Sequence, residues 1–413
     1  MGIGQPLVSS CAMNPNLARL QPYPFERWRT LLGQAQGPAS LTPISLAIGE
    51  PRHDTPAFIR QALCHHSDGL ARYPLTLGQP SLRSTLATWL SQRHGLPMLD
   101  PERHVLPTLG SREALFAITQ VLLDPCARDI VVCPNPFYQI YEGATLLAGG
   151  ETYFVNASQE HGVIDYGDVP DDIWTRTRLV FVCSPSNPTG QVLSLDDWRQ
   201  LFTLSERHGF TVVSDECYSE IYPDENNPPL GALAAAHRLG RLDYANLLVM
   251  GSLSKRSNVP GLRSAYVAGD PELLRHFAQY RTYHGSAMSP TVQSASEAAW
   301  RDEQHVRDNR RLYREKMSLF QEKVAPLLPL NRPQAGFYYW TKVPGNDDVA
   351  FARALYLKEH VTVLPGSYLA RTAQGHNPGA GRVRIALVGS LPETREAIER
   401  ITRFVADYPT QGE

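Results

Sequence analysis

The sequence predicts an α/β protein in two parts: a large domain with a mainly parallel sheet sandwiched by helices, and a smaller α+β domain. Three observations lead there. At 413 residues the chain is longer than one ordinary hydrophobic core. From about Ser81 to Ala268, short apolar runs alternate with helical patterns. Apolar strands spaced by helices form a parallel sheet covered on both faces. After about Ser294 the pattern changes to a long charged helix followed by short β-like segments.

Residues 1–13 read as an extension, because Met13-Asn14-Pro15 resembles a second start, and residues 14–50 as an arm packing with the smaller domain. Residues 51–293 form the larger domain and 294–413 the smaller. Ser81 is a candidate cap for a helix whose apolar positions Leu82, Leu86, Trp89 and Leu90 recur at helical spacing, with Gly95 as its stop. A strand over 104–107 then meets Gly110-Ser111. Next comes a helix carrying Leu115, Phe116, Ile118, Val121 and Leu122, closed by Pro125. Further strands are expected at 130–133, 179–183, 211–214, 247–250 and 265–268, with a helix over 195–208. One charged helix is expected from Glu297 to about Val324. A β-like segment holds Gly336-Phe337-Tyr338-Tyr339-Trp340, and a second β-run ends near Arg384-Ile385-Ala386-Leu387. Pro344-Gly345-Asn346 reads as a turn.

Composition narrows the function classes. A 42% hydrophobic and 19% charged chain has the balance of a folded domain, not a disordered one. Net charge is −2 with both signs interspersed, so neither a nucleic acid nor a membrane surface is an expected partner. The longest apolar runs are strand-sized, and no basic segment precedes an apolar core near the start, so a cytoplasmic location is expected. The six cysteines form no C-x-x-C pair and are expected to be reduced, mostly buried thiols. The thirteen histidines show no H-E-x-x-H spacing, so no metal is expected.

The chemistry-bearing residues collect where strands end. In open α/β sheets, ligands bind beyond the carboxyl ends of the strands. Four such ends carry Gly110-Ser111-Arg112, the Ser184-to-Gly190 segment with Asn187-Pro188, Asp215-Glu216-Cys217-Tyr218, and Ser252-Leu253-Ser254-Lys255. They supply a helix N-terminus, an amide, a carboxylate with a phenol, and a hydroxyl-flanked amine. An anionic, aromatic, aldehyde-bearing cofactor needs that set.

In order and spacing these segments resemble the fold-type I aminotransferases of class I/II. Ser252-Leu253-Ser254-Lys255 followed by Pro260-Gly261-Leu262-Arg263 resembles that family's cofactor-lysine signature. Ser264 departs from it, an apolar residue being usual after the arginine. The resemblance covers Asn14 to Tyr408 and implies pyridoxal 5'-phosphate as cofactor, with amino acids and keto acids as substrates.

It also implies roles. Lys255 would hold the cofactor as a Schiff base and then move a proton. A free lysine titrates at about 10.4, so a cationic or desolvated setting is required near neutrality. Asp215 would keep the pyridine nitrogen protonated, as a carboxylate opposite a cation does. Asn187 and Tyr218 would hydrogen-bond the ring's phenolic oxygen, with Tyr218 sharing in catalysis. Ser252, Ser254 and Arg263 would hold the phosphate, together with Gly110 and the N–H groups of Ser111 and Arg112 at a helix N-terminus. Tyr138 would stack on the ring. Tyr73 would reach the phosphate of a neighbouring subunit, which implies a homodimer with shared active sites. Arg384 would clamp the substrate's α-carboxylate, a bidentate task poorly suited to lysine. Arg382 lies two residues away, but the Arg-Ile-Ala-Leu string matches the family at Arg384. Gly49 and Asn187 would meet the same substrate group. Plainer alternatives exist: a surface lysine for Lys255, a capping acid for Asp215, a turn for Asn187, core phenols for Tyr138 and Tyr218, and a solvated side chain for Arg112.

Within the family, Asn14-Pro15-Asn16-Leu17, Tyr23-Pro24-Phe25 and the Tyr283-to-Pro290 stretch resemble proteobacterial succinyldiaminopimelate transaminases, as does the stretch from Ala299-Trp300 to Glu303. That resemblance implies ping-pong exchange between glutamate and N-succinyl-2-amino-6-ketopimelate in lysine biosynthesis through diaminopimelate. Both substrates carry a carboxylate far from the reacting centre, so a second cation is required, with Arg52, Arg112, Arg281 and His284 as candidates. Another class I/II aminotransferase, acting on aspartate, alanine or aromatic substrates, or a β-lyase, is the alternative. A nicotinamide dehydrogenase fails for want of a G-x-G-x-x-G between strand and helix. A regulatory protein would need a DNA-binding segment, of which the N-terminal arm shows no pattern.

Overall fold

The computed structural model describes residues 13–159 and 162–408. The expected N-terminal extension, Met13 apart, lies outside them, as does Cys11. Seven strands form the main sheet: β1 (Val105–Thr108), β2 (Ile130–Asn135), β3 (Glu151–Asn156), β4 (Thr177–Cys183), β5 (Thr211–Asp215), β6 (Leu247–Ser252) and β7 (Ala265–Gly269). Their order is β1-β7-β6-β5-β4-β2-β3. All pairs are parallel except the two made by β7, which runs against both β6 and β1.

The strands are apolar on both sides because both faces are covered. Val132, Val180, Val182, Val212 and Val249 pack into one core, while Val131, Leu179, Phe181, Val213 and Leu248 pack into the other. Neighbours along one strand thus enter opposite cores, as the pleat requires. Strand β3 escapes the apolar-run criterion. It sits at the sheet's edge and is half-buried over most of its length, so Glu151, Thr152 and Asn156 are tolerated there.

Two helix boundaries differ from expectation. The helix at Ser81 begins at Pro80 with no side-chain cap, and Gln79 ahead of it is anchored by donating its N–H to Gln293 Oε1 at 2.6 Å. The single charged helix from Glu297 is instead two, Pro290–Arg301 and Gln304–Val324, parted at the extended residue Asp302. The break has a partner. Buried Arg256 donates to Ala299 O (2.8 Å) and Asp302 O (3.3 Å), pairs with Glu303 (2.5 Å), and lies against the Trp300 and Trp89 rings. It satisfies carbonyls that an unbroken helix would have used itself.

A second core holds Trp28, Ile44 and Leu46 of the N-terminal arm with Phe320, Tyr339, Phe351, Ile385 and Phe404. Its three-stranded antiparallel sheet places Arg382–Ala386 between Leu364–Pro365 and Tyr338–Lys342. Ile44–Ser45 joins Val361–Thr362 in a short parallel pair. The helix spanning position 294 contributes Ala295, Ala299 and Trp300 to the large core, and the next helix reaches the second core from Met317 onward. Among the described cysteines, Cys133 is buried and Cys183 and Cys217 are partly so, but Cys64 and Cys126 are exposed. The expectation of mostly buried thiols fails for those two, one on a nine-residue surface helix and one in the turn after Leu123. No helix among the described residues is long and apolar enough to cross a membrane.

Leu248 is fully buried in a strand flanked on both sides. Leu248→Ala should cost about 2–5 kcal/mol, read as a lower urea midpoint.

Candidate active site

The carboxyl ends of β1, β2, β4, β5 and β6 converge on one cleft of about 650 Å³, closed on its far side by residues of the second core and the arm. Of the residues singled out from sequence, Gly49, Ser111, Arg112, Tyr138, Asn187, Asp215, Tyr218, Ser254, Lys255, Arg263 and Arg384 all line it.

Sheet direction explains one of these placements. Because β7 is antiparallel, its amino end lies beside the carboxyl end of β6, with Ala265 opposite Ser252. Arg263, two residues before that strand, therefore reaches the cleft from a strand's beginning. Its backbone is left-handed (φ 55°), and its guanidinium donates to Pro260 O at 2.9 Å and Leu109 O at 3.3 Å. Gly110, with φ 87°, opens the helix Ser111–Leu122 directly beneath it. A Cβ on Gly110 would sit 2.1 Å from an Arg263 nitrogen, so only glycine lets the arginine lie across the helix N-terminus.

Three expected residues are placed differently. Gly110 supports Arg263 and does not itself line the cleft. Ser252 lies one layer below. Its hydroxyl caps the short Leu253–Arg256 helix by accepting the Ser254 N–H, and it sits 3.1 Å from Ser264 O. Ser254 and Arg263, by contrast, line the cleft directly. Tyr73 is fully exposed and outside its own chain's cleft. Of the four candidates for the second cation, only Arg112 lines the cleft. Arg281 is buried against Glu113 and Pro107 O, Arg52 pairs with Glu393, and His284 bonds Ser286.

Burial sets the electrostatics. Desolvation lowers the Lys255 amine to about 8, and Arg384 and Arg112 push the same way against Cys217 and Glu50. Its Nζ donates to Gly49 O. Asp215 is buried, and desolvation raises its pKa, opposed by hydrogen bonds. Tyr141 donates to its Oδ2 at 2.9 Å and the Cys217 N–H reaches its Oδ1 at 3.3 Å. Burial likewise pushes up the Tyr218 phenol, whose oxygen lies 3.0 Å from that of Tyr338.

The cleft is rich in cations without counter-ions. Arg112, Arg263 and Arg384 pair with no carboxylate among the described residues. Arg112 donates to the Tyr138 hydroxyl at 2.6 Å. Arg384, 4% exposed, donates to Asn187 Oδ1 (2.9 Å) and Ala47 O (2.6 Å), and its Nε has no partner. A buried guanidinium left partly unsatisfied is costly unless an anion completes it. Arg382 points elsewhere, to Gln159 O.

Sequence reasoning did not place Tyr338, Tyr141, Cys183 or Cys217 in the site. Tyr338 had a signal: alternation along Phe337-Tyr338-Tyr339 sends Tyr339 into the second core and Tyr338 to the cleft. Its hydroxyl also explains Gly49, where a Cβ would come within 1.7 Å of it. Tyr141 had none, since its contact with Asp215 spans separate strand ends.

A family model described as aminotransferase class I and II matches residues 42–401. The chain belongs to that family. It is 32% identical to an LL-diaminopimelate aminotransferase of Moorella thermoacetica over 94% of this chain and 97% of that one. A crystal structure of an aminotransferase from Neisseria meningitidis superposes with TM-score 0.92 at 50% identity, over 96% of this chain and all of that chain. A probable N-succinyldiaminopimelate aminotransferase from Thermus thermophilus superposes with TM-score 0.80 at 27% identity, over 92% of this chain and 98% of that chain. This aminotransferase uses pyridoxal phosphate. The donor set fits it: a desolvated primary amine, a buried acid, and an unpaired guanidinium over a helix N-terminus.

An amine lowered to about 8 is a nucleophile over a wider range than a surface lysine. Covalent uptake of pyridoxal phosphate by the cofactor-free protein should therefore speed up with rising pH and level off above about 8. A rise continuing towards about 10.4 would mark an unshifted lysine. Stopped-flow absorbance checks it.

Proposed function

We propose that this aminotransferase exchanges an amino group between glutamate and N-succinyl-2-amino-6-ketopimelate. The observation that carries the proposal is a pair of guanidiniums, Arg384 and Arg112, that face one cleft with no acid among the described residues bonded to either. Two fixed cations suit substrates with an α-carboxylate and a further carboxylate far from the reacting carbon, which glutamate and this keto acid both carry. The probable N-succinyldiaminopimelate aminotransferase from Thermus thermophilus supports the choice of keto acid. The Moorella relative favours a second reading, LL-diaminopimelate as amino donor, which has the same need for two cations.

Pyridoxal phosphate, when bound, supplies an aldehyde for the substrate amine and a ring that withdraws electrons from the reacting carbon. The chain's residues do the rest. Arg384 takes the substrate α-carboxylate, completing its own unsatisfied Nε. Arg112 takes the far carboxylate. Lys255 removes and returns the proton at the substrate Cα, a task its lowered basicity suits. Asp215, held by Tyr141, would face the ring nitrogen. Asn187 and Tyr218 would hold the ring's phenolic oxygen, Tyr138 would stack on the ring, and Ser254, Arg263 and the Ser111 and Arg112 N–H groups would hold the phosphate. Tyr73 of a second subunit completes that phosphate site, so the working form is a homodimer.

Purified enzyme assayed with glutamate against a panel of keto acids tests this. The succinylated keto acid should give a higher kcat/KM than pyruvate or phenylpyruvate. A preference for either of those overturns the reading, and LL-diaminopimelate with 2-oxoglutarate as the best pair selects the second. Lys255→Ala should abolish turnover.

Arg112→Met should raise KM for dicarboxylic substrates about 10- to 100-fold, the worth of a charged hydrogen bond, while leaving alanine nearly unaffected. Equal loss for both would place Arg112 on the cofactor alone.

A further inference from the structure

Behind the cleft, a line of buried polar side chains joins the second core to the turn that carries Lys255. Asn309, on the helix Gln304–Val324 and 3% exposed, sends its amide nitrogen to Lys255 O at 3.1 Å and Arg256 O at 3.3 Å. Both acceptors are carbonyls, so the amide orientation is fixed: Nδ2 faces the turn and Oδ1 faces away. Asn309 Oδ1 meets His53 Nδ1 at 2.8 Å and the Asn258 amide nitrogen at 3.0 Å. His53 Nε2 lies 2.8 Å from Lys316 Nζ, which also donates to Gly389 O at 2.7 Å.

The protonation pattern follows from the donors. Lys316 donates, so His53 Nε2 accepts; the ring is then neutral with its proton on Nδ1, which donates to Asn309. Each bond in the chain points towards Lys255. Burial and Lys316 hold His53 at about 4, and burial with Arg52 holds Lys316 at about 7, so the imidazole is neutral near neutrality. Lys316 is 2% exposed and pairs with no acid among the described residues; the nearby Glu393 is taken by Arg52. Burying an amine without a carboxylate has a cost, and packing alone would favour an apolar side chain there. The arrangement makes sense if those groups do something apolar residues cannot.

We propose that Asn309 is a positioning residue for Lys255, itself oriented by His53 and Lys316. The short Leu253–Arg256 helix has only four residues, too few to hold its last carbonyls by its own bonds. Asn309 supplies that restraint from another helix. Gly389 follows the strand of Arg384, so the chain also ties the Lys255 turn to the segment bearing the substrate-facing arginine. The inference rests on the reading of Lys255 as the reactive amine.

Asn309→Asp keeps the shape and the acceptor for His53 but removes both N–H donors to the turn. In the holoenzyme it should lower kcat with glutamate about tenfold or more while KM stays within about twofold, the pattern of a misplaced catalytic group. The pH midpoint of the bound cofactor's visible absorbance should shift with it. His53→Gln retains a donor and an acceptor and should keep near-native kcat, whereas His53→Leu should fall towards Asn309→Asp. That pair decides the matter if Asn309→Asp does not accumulate folded enzyme. Native kcat and an unmoved absorbance midpoint in Asn309→Asp, or equal behaviour of the two His53 variants, would overturn the proposal even if the melting temperature drops. Lys255→Ala assayed alongside separates the two failures. If it stays active the reading of Lys255 falls; if it is dead while Asn309→Asp is native, only the relay falls.

Discussion

Desolvation of one amine is the constraint around which this site is organised. Lys255 gives up part of its hydration and receives a carbonyl, Gly49 O, as its hydrogen-bonded partner in place of a carboxylate. A carboxylate there would have restored its ordinary basicity and removed its reactivity. The neighbouring arginines act in the same direction. The elements around the cleft deliver cations and phenols to one place, and the acid that raises the Lys255 pKa, Glu50, makes no hydrogen bond to its amine among the described residues. The one deeply buried acid at that place, Asp215, is instead engaged by Tyr141 and a backbone N–H.

The sheet does this delivery. Parallel strands end side by side, and their carboxyl ends align the dipoles and loops that follow. Asp215 stands opposite Cys183 on one side and Met250 on the other, so three successive strand ends present Asn187, Asp215 and Lys255 within one cleft. The reversed strand β7 extends the same logic, since it brings Arg263 to that edge from the opposite chain direction. The second core contributes what the sheet cannot: Arg384 and Tyr338, from adjacent antiparallel strands, close the cleft from across it.

Cleft cations that pair with no carboxylate among the described residues have a thermodynamic consequence. Arg112, Arg263 and Arg384 hydrogen-bond phenol, amide and carbonyl oxygens, which orient the guanidinium planes without neutralising them. Preorganised charge of this kind needs little reorganisation when an anion arrives. Gly49 and Gly110 serve the same arrangement, because a side chain at either would displace the groups that point into the cleft.

The sequence by itself determined the strand-and-helix alternation, most strand positions, and most of the residues that line the cleft, because apolar periodicity and strand-end polarity are local properties. Asn187, Asp215 and Lys255 were legible for that reason, and Arg384, in the middle of a strand, through its resemblance to a family string. Tertiary structure decided what depends on partners far along the chain. The residue before the helix starting at Pro80 is anchored by Gln293, and the break at Asp302 is filled by Arg256. The edge strand β3 pairs with its one neighbour and packs Tyr153, Phe154 and Val155 onto the two cores, although polar residues flank them. Only the folded chain shows that Arg112 lines the cleft while Arg52 and Arg281 are held by Glu393 and Glu113 elsewhere. Those contacts join residues dozens to hundreds of positions apart, and no local pattern encodes such distances.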